Sequence, residues 1–181
     1  MWISKAAITI SVPTSSCAAG GLPSATLISS AETGTKLRKA VEVTVPSAVA
    51  ASAARVFGAW LTPRLLGQWM FGPDIRDEKL LRLDVDPRVG GRFSMLVERD
   101  GERIDHVGEY LVIERPHRLS FTWTIAGEAD QDGSRVDIAI TPASAGCELR
   151  LTHTLPRAWA DYADRTQQGW STMLDALHAV F

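Results

Sequence analysis

Hydrophobic and polar positions alternate with period two over most of the middle of this chain. Residues 39–45 (KAVEVTV) set Val41, Val43 and Val45 against charged and polar neighbours. That is the signature of a half-buried strand, and Pro46 is expected to end it. Residues 81–86, 92–98, 103–114, 119–125, 135–141 and 147–153 repeat the pattern. Asp100-Gly101 is a strong two-residue hairpin signal, and short turns at Pro87, Gly90-Gly91, residues 114–117 and residues 144–146 separate other runs. The polar stretch 127–134 is the longest break between them.

Two segments carry a helical period instead. Ser47 is positioned as a cap for a helix over 48–61 bearing Val49, Val56, Phe57 and Trp60. Pro63 breaks it, and 64–69 reads as a second short helix. Near the end, Tyr162, Ala163, Thr166, Trp170, Met173, Leu174, Leu177, Val180 and Phe181 recur at steps of mostly three and four. A helix from Trp159 onward would be about 35 Å long. The order is therefore strand, two short helices, about six antiparallel strands and one long helix. Such a sheet must curve around the helix to bury its stripe, and the space between them is either filled or hollow.

Composition narrows the function. At 181 residues with 45% hydrophobic content, one domain with a full core is expected, preceded by a flexible Ser/Thr/Ala/Gly-rich extension over 1–37. A formal net charge of −2 gives no electrostatic case for nucleic acid. No apolar run is long enough to span a membrane. Cys17 and Cys147 stand alone, which argues against a disulfide framework or a Cys/His zinc site and fits a reducing cytoplasm. The start of the chain has only a short apolar stretch before Pro13 and lacks the apolar core of an export signal. Asn is absent and fifteen Arg face four Lys, the usage of a GC-rich bacterial genome.

Motif chemistry is sparse. Residues 128–133 (EADQDG) imitate the start of a calcium loop, but the twelfth position is Ala139 and a strand follows. No nucleophile elbow, zinc-protease or phosphate-loop motif occurs. No cofactor and no metal are expected. His153 shares a row with Leu149 and Leu151 and is expected to point inward, as a structural histidine or as a ligand contact. On 103–114 two rows compete. The Val107, Leu111, Ile113 row is the expected inner one, which carries Glu109 inward and makes Glu109 with His153 a weak acid/base candidate.

In order along the chain, residues 54–60 (ARVFGAW), 62–63 (TP), 65–69 (LLGQW), 72–74 (GPD), 84–93 (DVDPRVGGRF), 108–113 (GEYLVI), 118–123 (RLSFTW), 149–154 (LRLTHT) and 169–170 (GW), with Leu174 and Leu177, resemble the START-like, or helix-grip, superfamily. The likeness is to its bacterial branch named after the activator of heat-shock protein 90 ATPase, and it covers about 40–181. The resemblance implies an α+β fold: a curved antiparallel sheet of about six to seven strands around a long C-terminal helix, with 38–181 as the domain. It also implies a cavity on the concave side for a small hydrophobic or amphipathic molecule. Its wall would be drawn from Trp60, Trp69, Met70, Phe71, Phe93, Met95, Phe121, Trp123, His153, Trp170 and Met173, with the stretch from Trp69 to Phe71 at the mouth. Core packing is the competing reading for each of these side chains. Other expectations stay open: a cyclase- or hydrolase-type enzyme using the same cavity, a chaperone-associated interaction module, and a homodimer.

Overall fold

A computed structural model describes residues 40–72, 75–127 and 134–181. The extension over 1–37, the calcium-loop imitation at 128–133 and residues 73–74 of the 72–74 motif lie outside the described residues. Strand β1 (Val41–Val49) is followed by helices α1 (Ala53–Ala59) and α2 (Pro63–Trp69). Then come β2 (Lys79–Val85), β3 (Arg92–Arg99), β4 (Glu102–Glu114), β5 (Arg118–Thr122), β6 (Thr124–Ile125), β7 (Arg135–Ala143) and β8 (Gly146–Leu155). A 3₁₀ segment (Arg157–Tyr162) leads into α3 (Ala163–His178). All pairings are antiparallel, in the order β1-β8-β7-β5-β4-β3-β2, with β6 also paired to β4. The sheet is open, with β1 and β2 as its edges, and α3 lies against β1.

Alternation decides which face is buried. Phe93, Met95 and Val97 of β3, Val136, Ile138 and Ile140 of β7, and Cys147, Leu149, Leu151 and Leu155 of β8 are all buried on the concave side. They meet Thr166, Trp170, Met173, Leu174 and Leu177 of α3 and Val56, Phe57, Trp60, Leu66 and Trp69 of the short helices. The hairpin at Asp100-Gly101 has positive φ at both residues (51° and 80°), as a tight hairpin turn requires.

Five local expectations are corrected. Pro46 does not end β1. It sits within the strand opposite Arg150, and this is possible because β1 is an edge, where a missing N–H costs no ladder bond. Ser47 is no helix cap: it pairs with Leu149, and its hydroxyl lies 2.7 Å from Nε2 of His178 at the far end of α3. The first helix accordingly begins at Ala53, behind Ser52. The C-terminal element winds as 3₁₀ through Tyr162, so α3 has 16 residues and spans about 24 Å; Tyr162 is left half-exposed.

The fourth correction concerns β4. Its inner row is His106, Gly108 and Tyr110, while Leu111 is 37% exposed and Glu109 lies outside. Tyr110 pairs with Phe121 but Val112 pairs with Ser120, so Leu111 is an extra residue, a bulge. Beyond it Ile113 returns to the core side opposite Leu119. The strand read from 119 to 125 is likewise broken at Trp123. Its N–H still reaches the carbonyl of Ser134, one position past the Thr122–Arg135 pair, and β6 then pairs with β4 opposite His106 and Val107.

Candidate functional site

Phe121 and Trp123 both face the concave side, and there they meet other rings. Trp123 lies edge-on to Trp170 at 5.6 Å between centroids, Trp170 is 6.3 Å from Trp60, and Trp60 is 4.6 Å from Trp69. Phe93 contacts Tyr110, Phe121 and Trp123 at 5.5, 5.6 and 5.8 Å. The Trp60–Trp69, Phe93–Phe121 and Trp123–Trp170 pairs are edge-to-face, a favourable arrangement for aromatic pairs, and the others are tilted. All eleven cavity-wall candidates, Trp60, Trp69, Met70, Phe71, Phe93, Met95, Phe121, Trp123, His153, Trp170 and Met173, are buried. Ring-to-ring packing joins Trp60, Trp69, Phe93, Phe121, Trp123 and Trp170 in the centre of the domain.

His153 is held at both nitrogens. The indole Nε1 of Trp170 donates to its Nδ1 at 3.0 Å. An indole nitrogen only donates, so Nδ1 must accept and the ring proton sits on Nε2. Nε2 then donates to the Ser134 hydroxyl at 2.9 Å. Burial pushes His153 down to about 4, so the ring is neutral at physiological pH. Glu109 is on the opposite face of the sheet, within 3.7 Å of Nε of Arg92. The two weak acid/base candidates are therefore not a pair, and His153 has no free nitrogen to act as a base.

His106 is the contrary case. It is 3% exposed, and neither ring nitrogen has a partner. Trp123 stacks on it at 5.2 Å and 27°, and Phe71 lies 5.5 Å away at 32°. Burial, followed by the charges of Arg99 and Arg76, holds it down at about 3. Arg99 continues the inner row of β3 past Val97 and is 9% exposed. Its Nε and Nη2 both donate to one oxygen of Glu78, and its Nη1 is unpartnered. Glu78 is 5% exposed, and its other oxygen lies 3.4 Å from Nε of Arg76 without a hydrogen bond.

Seven buried side-chain polar atoms among the described residues lack hydrogen-bond partners. Four of them are Nδ1 and Nε2 of His106 and, further along the same inner face, Nη1 of Arg99 and Oε1 of Glu78. Outside it, Phe71, Glu78 and Leu80 help to line a surface groove of about 780 Å³, shared with Gly67 and Gln68 of α2. The aromatic half of this arrangement is visible in the sequence. The polar half is not, apart from His106, whose row competed with the wrong one. Glu78 and Arg99 look like ordinary surface charges until pairing brings them together.

A profile of the family described as "Activator of Hsp90 ATPase homolog 1-like protein" matches residues 50–181. The chain belongs to this family. Similar folds include a crystal structure of a protein from Chromobacterium violaceum, 24% identical over 76% of this chain and 95% of that one, with a TM-score of 0.66. The solution structure of an AHSA1-like protein from Aeromonas hydrophila is 22% identical, covers 77% and 91%, and has a TM-score of 0.64. A crystal structure from Mycobacterium smegmatis is 23% identical, covers 77% and 90%, and scores 0.64. None of the curated proteins matches the chain. The family and these folds agree with the START-like resemblance and with its curved sheet and C-terminal helix. No helix among the described residues is long and apolar enough to cross a membrane.

Proposed function

We propose that this protein binds a small apolar or amphipathic molecule between the curved sheet and α3. The ligand approaches along the groove beside Phe71 and inserts its apolar part among Phe71, Trp123 and their neighbours. The observation that carries this reading is the corner at His106. Buried polar groups normally find partners, because an unpartnered one forfeits its hydration without return. Four such atoms along the inner face, where the aromatic interior meets a groove, are an address for a polar group that comes and goes. The family fold supports the reading, being consistent with a hydrophobic ligand-binding module. Binding displaces rings that now touch each other. Phe71 lies outside α2 and β2, so no helix or strand holds that ring.

The test is a native mass spectrum of protein purified from its own cells, paired with titration of N-phenylnaphthylamine followed by quenching of tryptophan emission. A co-purifying compound and saturable one-to-one quenching support the proposal. Neither a bound compound nor saturable quenching would sink it.

A further inference from the structure

We infer that the polar end of the ligand is a carboxylate, accepted by the free Nη1 edge of Arg99, on the same inner face as His106. This rests on the binding function proposed above and names the chemistry of its polar end. Two guanidinium groups, Arg99 and Arg76, share the single carboxylate of Glu78. Arg99 and Glu78 are buried and Arg76 is partly exposed, so two guanidinium groups face one carboxylate at the edge of the core. Arg99 uses two of its three nitrogens on one oxygen of Glu78 and keeps Nη1 buried and unpartnered. A buried guanidinium edge wants a planar anionic acceptor with two oxygens.

His106 fits the same guest. Its ring is neutral, so one nitrogen donates and the other accepts. The donor adds a hydrogen bond to a carboxylate without requiring a second buried charge. Phe71 and Trp123 on its two sides supply the apolar surface for the chain behind that carboxylate. The groove also carries acidic side chains, but they act from outside. Asp77 and Asp100 are exposed, and Glu98 stands opposite Lys79 in the β2–β3 ladder. Water screens these charges, whereas the buried guanidinium acts in a low dielectric.

The experiment compares decanoate, 1-decanol and decylamine by isothermal titration calorimetry, on the full chain and on Arg99→Met. A charge-assisted hydrogen bond in a buried site predicts decanoate binding about tenfold or more tighter than decanol, with decylamine weakest. Arg99→Met should erase that preference and keep decanol binding. Should that variant fail to fold, Glu78→Gln/Arg99→Met removes the stranded carboxylate and is read in the same way. Equal binding of acid and alcohol, tighter binding of the amine, or an acid preference that survives loss of Arg99 overturns the inference while leaving the pocket in place. No saturable binding of any of the three overturns the pocket as well.

Discussion

Trp170 of α3 donates its indole N–H to Nδ1 of His153 on β8 at 3.0 Å, a buried polar bond between helix and sheet, whereas the other polar contact between them, Ser47 with His178, is exposed. His153→Leu keeps the volume but strands the Trp170 N–H and the Ser134 hydroxyl. It should cost about 2–4 kcal/mol, the penalty for buried donors left unpaired plus the lost bonds. Trp170→Phe in the same background should cost less than it does alone, with a coupling of about 1 kcal/mol. Urea denaturation of the four proteins checks both; strict additivity would mean the bond contributes nothing.

Acid should weaken the fold earlier than its carboxylates would. His153 and His106 are held at about 4 and about 3 in the folded chain, against 6.5 for an ordinary histidine. The unfolded chain therefore takes up protons that the folded chain refuses. Stability is full above about 6.5 and falls as the pH drops from there toward 4. Each histidine contributes up to about 1.4 kcal/mol per pH unit in that window. His106→Phe, which keeps the stack on Trp123, should remove about half of that slope. Thermal melts between pH 7 and 4.5 measure it, and an unchanged slope would show that His106 does not stay neutral on folding.

Glu78 and Arg99 should behave as a buried pair. Glu78→Gln leaves two guanidinium groups facing each other without a counter-charge, and should cost about 3–5 kcal/mol. Glu78→Gln/Arg99→Met should cost clearly less than the sum of its parts. A double-mutant cycle in guanidinium chloride reads the coupling, and a value near zero would place the pair in water.

Gly108 is required by the rings behind it. A Cβ there would lie 2.0 Å from the backbone oxygen of Thr122 and 2.4 Å from the Phe93 ring. Backbone cannot yield as a flexible side chain does, so Gly108→Ala should destabilise by at least about 3 kcal/mol. Gly101→Asn is the control: it keeps a residue tolerant of positive φ in a turn with open space around it and should melt within a few degrees of the parent chain in a thermal scan.

Most of the apolar architecture was legible from period alone. The rows Phe93, Met95, Val97 and Leu149, Leu151, His153 point inward as the alternation says, and the stripe from Thr166 to Leu177 faces the core. Misreadings arose where a local rule meets a non-local one. Pro46 reads as a terminator because it has no N–H, and only the position of β1 at the edge makes that harmless. In β4 each row mixes apolar and polar residues, so alternation alone does not choose between them. The bulge at Leu111 sends one row inward before it and the other after it.

What the sequence by itself determined is the kind and order of the main elements and, outside β4, the faces they bury. Alternation and helical spacing are properties of neighbouring residues, and hydrophobic burial acts on them without regard to partners. The tertiary structure alone decided that His153 is fully bonded and His106 is not, that Glu109 faces away from both, and that Glu78, Arg99 and Arg76 meet at the edge of the core. Hydrogen bonds and ion pairs act over a few ångströms between residues far apart in the chain. Which groups meet depends on strand register and on a single extra residue, and neither is written in the local pattern.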